Sequence, residues 1–237
     1  MDIKVGCCGF SEAHYKYYAH FNLVEVQSTF YQPPKLNTAV KWRESSPENF
    51  EFTIKAWQLI THTPSSATYR RLREPISPRK NARYGFFKPT REVFQAWETT
   101  KNFAQSLGAR HVLFQSPNSF KPTDENIRNL KKFFDSIDRE SLNLIWEPRD
   151  GWKLNMVKEL CNQLDLVHCA DPFQNETFSE PVKYYRLHGK RGFRSKYSDQ
   201  DLLQLKEICE RDEVVYCLFN NISMREDALR FNKLFSS

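Results

Sequence analysis

Eight short apolar runs alternate along this chain with stretches of helical periodicity, and that rhythm leaves few folds open to it. The runs are Ile3–Cys8, Leu23–Gln27, Phe50–Ala56, Val112–Gln115, Leu142–Glu147, Leu166–Ala170, Lys183–Leu187 and Val214–Phe219. Each is nearly continuous in apolar side chains, the pattern of a strand buried on both faces. Helical spacing occupies most gaps: Ser11–Phe21, Asn37–Glu44, Arg91–Leu107, Asp124–Ile137, Trp152–Leu164, a segment opened by Ser198 and Asp201 as a capping pair, and Met224–Phe235. Alternating buried strands and helices predict an α/β fold, a TIM-like (β/α)8 barrel forming a single domain over residues 1–237. Two places break the rhythm. Gln58–Pro89 is too long for a simple connection and rich in Pro and Arg, so it reads as a long basic loop after the third strand. Asp171–Pro181 is too short and irregular for a helix, so a regular sixth helix is expected to be missing.

Several function classes lose their basis at once. Glycine occurs only seven times, and neither G-x-x-x-x-G-K-[ST] nor G-x-G-x-x-G is present, which argues against P-loop and dinucleotide-binding chemistry. Of the six cysteines, Cys7 and Cys8 are adjacent, and Cys161, Cys169, Cys209 and Cys217 are scattered through apolar segments. No C-x-x-C pair exists, so neither a structural zinc site nor a disulfide framework is indicated. Met1–Phe10 reads as a strand, and no apolar stretch approaches the ~18 residues of a spanning helix. The expectation is a reduced, cytoplasmic protein that does not enter a membrane.

In barrels of this kind the reactive groups sit where each strand ends and its loop begins. Reading those positions gives Glu25 on the second strand, Lys55 on the third with His62 in its loop, and Gln115 on the fourth. Glu147 and Arg149 follow on the fifth, with Trp152 beyond. Asp171 ends the sixth, Arg186 and His188 the seventh, and Asn220 and Asn221 the eighth. Converging acids and bases of this kind suit acid–base or metal-assisted chemistry, with Glu25, Lys55, Glu147, Asp171 and His188 as the candidate catalytic groups. The plainer reading makes them buried structural ion pairs, Glu25 with Lys55 or Glu147 with Arg186. Glu25, Glu147, Asp171 and His188 have the chemistry to hold a divalent metal, but no ligand motif such as H-E-x-x-H supports one, so no metal site is assigned and the cofactor is left unknown.

The net charge of +6 is unevenly spread. Arg70–Arg91 carries +7, with Arg70, Arg71, Arg79, Lys80 and Arg83 among its cations, and Lys183–Lys196 carries +6, including Arg186, Lys190 and Arg191. The rest of the chain is therefore at −7. Tyr69, Tyr84, Phe86, Phe87, Phe193 and Tyr197 are interleaved with these cations, a combination that suits phosphates with unstacked bases. The alternative is a solvated loop, or one whose aromatics fold into the core. Gly189-Lys190-Arg191-Gly192 can bring backbone N–H groups to an anion, and it can equally be a turn.

Long stretches resemble the YecE-like family, also called domain of unknown function 72. They are Gly6-Cys7-Cys8-Gly9-Phe10, Phe21 to Tyr31 (FNLVEVQSTFY) with Pro34 and Trp42, and Pro47 to His62 (PENFEFTIKAWQLITH). Further on come Gln115-Ser116-Pro117, Trp146-Glu147-Pro148-Arg149 with Trp152, Tyr185-Arg186-Leu187-His188-Gly189 with Tyr197-Ser198, and Phe219-Asn220-Asn221. Phe10 stands where a Trp is usual, and the Arg70–Arg91 loop is more basic than the pattern leads one to expect. The resemblance implies a TIM-like barrel, similar in outline to sugar isomerases and to metal-dependent endonucleases acting at abasic sites. It implies no activity, and the full set of metal-binding histidines of such endonucleases is not evident.

Three readings of function follow. One is nucleic-acid binding or processing, with the basic loops on phosphates and Lys55, Arg149, Arg186 and His188 neutralising charge while Glu25, Glu147 or Asp171 acts as base or metal ligand. A second is an enzyme on a small phosphorylated or carboxylated metabolite such as a sugar phosphate. A third is a non-catalytic, partner-binding barrel whose mouth is an ion-pair network. The shared expectation is an anionic partner.

Overall fold

The computed structural model describes residues 1–235; the last two residues of the predicted 1–237 domain lie outside the described residues. Eight strands run parallel and close into one barrel in chain order. They are β1 (Asp2–Cys8), β2 (Leu23–Val26), β3 (Glu51–Lys55), β4 (His111–Gln115), β5 (Asn143–Glu147), β6 (Val167–Ala170), β7 (Val182–Leu187) and β8 (Val214–Phe219). All eight apolar runs are strands, with no end moved by more than one residue. The helices are α1 (His14–His20), α2 (Ser28–Tyr31), α3 (Leu36–Glu44), α4 (Gln58–Thr61), α5 (Arg91–Leu107), α6 (Asp124–Ser136), α7 (Leu154–Leu164), α8 (Asp199–Cys209) and α9 (Met224–Lys233). No helix lies between β6 and β7, in line with the short irregular segment there. None of the described helices is long and apolar enough to cross a membrane.

Local chemistry accounts for the best-defined boundaries. The Thr90 hydroxyl accepts from Val93 N–H to start α5, and Gly108 ends it in a left-handed conformation at φ 69°. Ser198 and Asp201 form the complete reciprocal capping box of α8. α7 begins two residues later than the pattern suggests, because the Trp152 indole packs on Phe120 and donates to its carbonyl at 2.8 Å.

The chain divides into two compact units that interleave in sequence: Met1–Val26 with Ser45–Phe52 and the chain from Val167, and Gln27–Glu44 with Thr53–Leu166. In the first, β1 pairs with β2 and β8, and β7 with β6 and β8. Gly6 lies against Leu23, where a Cβ would come within 2.2 Å of the Leu23 carbonyl oxygen, so only glycine permits this strand contact. In the second, β4 pairs with β3 and β5. An aromatic core of Phe87, Trp97, Phe114, Phe133 and Phe134 fills it.

The Gln58–Pro89 segment is more ordered than a long loop. It contains α4, with every residue buried, and two 3-10 turns at Ala67–Arg71 and Pro78–Arg83. Gly85, Phe86 and Phe87 all take left-handed φ angles of 76°, 55° and 53°. Their N–H groups donate in turn to the carbonyls of Leu59, Thr61 and Ile60 at 2.9, 3.2 and 2.9 Å. Left-handed conformations are unfavourable for two phenylalanines, and the strain is offset by these bonds and by Phe87, which is wholly buried. The excursion is thereby pinned at both ends.

Candidate functional site

In the unit holding β3, β4 and β5, the strand ends form a connected polar row. Lys55, the last residue of β3, donates from Nζ to Gln115 Oε1 at 2.7 Å. Gln115, the last residue of β4, donates from Nε2 to Glu147 Oε2 at 2.8 Å, and Arg149 Nη2 lies 3.4 Å from Glu147 Oε1. The register makes this row unavoidable, since Gln115 stands opposite Glu147 on adjacent parallel strands. Lys55 also sits 3.8 Å over the Phe30 ring, and its carbonyl accepts from Thr29 Oγ1 at 2.7 Å, so α2 holds both faces of its backbone and side chain.

His62 belongs to this cluster. Its ring packs edge-on to Phe30 at 4.9 Å, and Nδ1 shares a 2.8 Å hydrogen bond with Thr61 Oγ1. Burial, then the positive charges of Lys55 and Arg149, lower its pKa to about 3, so the ring is neutral at neutral pH. Lys55 and Arg149 thus act on a neutral imidazole, and Arg149 is the part of the cluster most open to solvent. Behind it Trp146 Nε1 donates to Ser116 Oγ at 2.9 Å, and Trp152 stands edge-on to Trp146 at 5.0 Å. Phe30 and Ser116 were not singled out in the sequence, although both lie in its family-like stretches.

The unit holding β7 and β8 is arranged differently. Glu25 is 0% exposed and Arg186 1%. Arg186 Nη2 lies 3.0 Å from Glu25 Oε1, and the Tyr184 hydroxyl donates to Glu25 Oε2 at 2.8 Å. Glu25 and Arg186, read in the sequence as a catalytic group and an anion-binding group, form a buried ion pair with each other, and the pairing is neither of those the sequence suggested. Asp171 accepts from the N–H of Phe173 at 3.1 Å and of His188 at 3.0 Å, so it shapes the loops after β6 and β7. His188 Nδ1 is 3.2 Å from Asn220 Nδ2. Asn221 donates to Asp227 Oδ2 at 2.7 Å and to the Ser195 carbonyl at 2.8 Å.

The glycine-flanked segment after β7 forms a turn. Gly192 N–H donates to the Gly189 carbonyl, Arg191 N–H to Ser195 Oγ, and Gly189 N–H to the Tyr197 hydroxyl, so three of its four amides are used within the protein. Lys190 pairs with Asp201 at 2.6 Å, which lowers that carboxyl to about 2. Lys196 pairs with Glu226, and Lys183 with Glu180 and Asp212. Of the exposed cations in this segment, Arg191 and Arg194 have no ion pair among the described residues. The aromatics interleaved with the cations are also mostly inside: Phe87 and Tyr197 are core residues, Tyr69 donates to the His62 carbonyl, and Phe193 alone is largely exposed, at 59%.

The loop after β3 behaves otherwise. Arg70, Arg71, Arg73, Arg79, Lys80 and Arg83 are all exposed. Arg83 pairs with Glu92 at 2.8 Å, and the Arg71 guanidinium lies 3.6 Å over the Tyr31 ring. Among the described residues, no group of three or more His, Cys, Asp or Glu side chains is arranged to hold a metal ion, and the quartet of Glu25, Glu147, Asp171 and His188 is not such a group. All six cysteines are buried free thiols.

Comparison with known proteins agrees with this architecture. The UPF0759 protein YunF of Bacillus subtilis is 24% identical, over 87% of this chain and 79% of its own. A crystal structure of a DUF72 family protein from Enterococcus faecalis aligns over 100% of this chain and 98% of its own, with 23% identity and a TM-score of 0.76. More distant barrels share the fold alone. A D-tagatose 3-epimerase-like protein covers 100% of this chain and 96% of its own, at 14% identity and TM-score 0.57. AP endonuclease, family 2, from Brucella melitensis covers 99% and 98%, at 13% and 0.56. The family model described as protein of unknown function DUF72 matches residues 6–236, nearly the whole barrel, and the chain belongs to that family.

Proposed function

We propose that this protein binds single-stranded nucleic acid through its phosphates, using the loop between β3 and α5. The observation that carries the reading is the row of exposed cations Arg70, Arg71, Arg73, Arg79 and Lys80, which have no carboxylate within ion-pair distance among the described residues. A cation held against a carboxylate gains little from a phosphate, whereas an unpaired one releases counterions on binding. The same unit supplies Lys55 and Arg149 as cations for one phosphate oxygen, with Glu147 as the carboxylate available to act as a base. The buried free cysteines support a cytoplasmic setting.

A second reading has its own support. Lys55, Glu147 and His62 are buried and only Arg149 is partly open, which favours a ligand as small as a sugar phosphate at this cluster. A filter-binding titration of a single-stranded oligonucleotide across salt separates the two. If five phosphates are neutralised, log K falls against log salt with a slope of about −3.5. Binding that is absent at low salt, or indifferent to salt, overturns the nucleic-acid reading. Thermal stabilisation by a sugar phosphate, lost in Arg149→Met, would then favour the small ligand.

A further inference from the structure

At the foot of the basic loop lies a cleft of about 380 Å³, and we propose that it is a subsite for one unstacked nucleobase of the bound strand. The proposal rests on the nucleic-acid reading and names what that strand would present beyond its phosphates. Trp57, Tyr84, Leu72, Gln32, Arg73 and Glu74 form most of the wall, and every one of them belongs to the same compact unit as the row of cations.

Trp57 follows β3 directly and caps α4, with its backbone N–H on Thr100 Oγ1. Its indole Nε1 is buried and has no acceptor among the described residues, so the cleft meets ring carbon and not the N–H edge. Such a surface favours stacking, as does the half-buried Tyr84 ring across the loop. Gln32, whose Oε1 accepts from Arg73 N–H at 3.4 Å, adds an amide to the rim, and the exposed Arg73 and Glu74 add a donor and an acceptor for a base edge. Ligand pockets generally span ~300–1,000 Å³, so this cleft takes a single base with its sugar and no more.

Its walls are held in place. Gln58 Nε2 donates to the carbonyls of Tyr31 and Thr68 at 2.8 and 3.3 Å, and the Gly85–Phe87 amides fasten the returning chain to α4. Aromatic and apolar surface alone would accept many ligands. The five cations, which have no carboxylate partner among the described residues, select one that joins a flat ring to phosphate, and a nucleic-acid strand supplies both in register.

Filter binding with a short single-stranded DNA and a fully abasic strand of equal length tests the proposal. The base-bearing strand is expected to bind the wild-type protein about tenfold more tightly. Trp57→Leu should remove that preference while affinity for the abasic strand and its salt slope stay unchanged. Tyr84→Leu, checked for folding by circular dichroism, serves the same purpose if Trp57→Leu does not fold. Equal wild-type affinity for both strands, or a preference that persists in a folded variant, overturns the subsite and leaves the phosphate reading standing. Failure of both strands to bind overturns both, as does stabilisation by a free nucleoside monophosphate with no binding of either strand.

Discussion

Replacing Glu25 with Gln tests whether the β7 side of the barrel is held by a structural ion pair. The carboxylate is fully buried, with Arg186 on one oxygen and the Tyr184 hydroxyl on the other. Gln keeps an acceptor for Tyr184 but removes the charge opposite a guanidinium that is itself 1% exposed. Breaking a buried pair from one side costs ~3–5 kcal/mol, because the remaining ion keeps its desolvation penalty. Retention of the tyrosine bond sets the expectation near the lower end, about 3 kcal/mol. With a urea dependence of roughly 3 kcal/mol/M for a chain of this size, the unfolding midpoint should fall by about 1 M. The assay is urea unfolding followed by tryptophan fluorescence, run beside Arg186→Met and the double variant. The double variant should be less destabilised than the sum of the singles by at least ~1 kcal/mol. A midpoint for Glu25→Gln within about 0.2 M of wild type, or strict additivity in the cycle, would refute the assignment. Oligonucleotide affinity of the folded Glu25→Gln protein should be unchanged, which also separates this pair from the binding surface.

Two other consequences are open to measurement. His62 has a folded pKa of about 3, below its ordinary value, so the unfolded chain takes up a proton that the native protein does not. Its contribution to stability is present above pH ~6.5 and falls as the medium is acidified, by about 2 kcal/mol at pH 5. Stability of wild type minus that of His62→Asn should show this slope between neutral pH and pH 5, and parallel curves would count against it. Gly85→Ala should destabilise by ~3 kcal/mol or more, since φ is +76° and the new Cβ would lie 2.3 Å from the His62 carbonyl oxygen. A thermal midpoint equal to that of wild type would show that the loop attachment at Gly85 is not under constraint.

The fold was legible to a considerable depth. Strand runs, the α5 stop at Gly108, the α8 capping box and the missing helix before β7 are all local signals, set by side chains within a few residues of one another. The ends of α1 and α7 were less so, because neither has a side-chain cap to mark it. The polar strand ends were legible as a list. Their division into a row on β3–β5 and a buried pair on β2 and β7 was not.

Periodicity and caps depend on neighbours in sequence, and the chain therefore carries its strands, helices and barrel class openly. Partners of long charged side chains depend on which distant strands lie side by side. Glu25 meets Tyr184 and Arg186 across 159 and 161 residues, and no local pattern names that choice over Lys55. Burial was decided in the same way. Six aromatics among cations read alike in sequence, yet packing drew Phe87 and Tyr197 into the core and left Phe193 outside. Tertiary structure also sorted the charge, neutralising Lys190 and Lys196 after β7 with carboxylates from α8 and α9 while leaving the cations after β3 exposed. A local run records how many charges a segment has, and only the folded chain determines which of them meet a counter-charge.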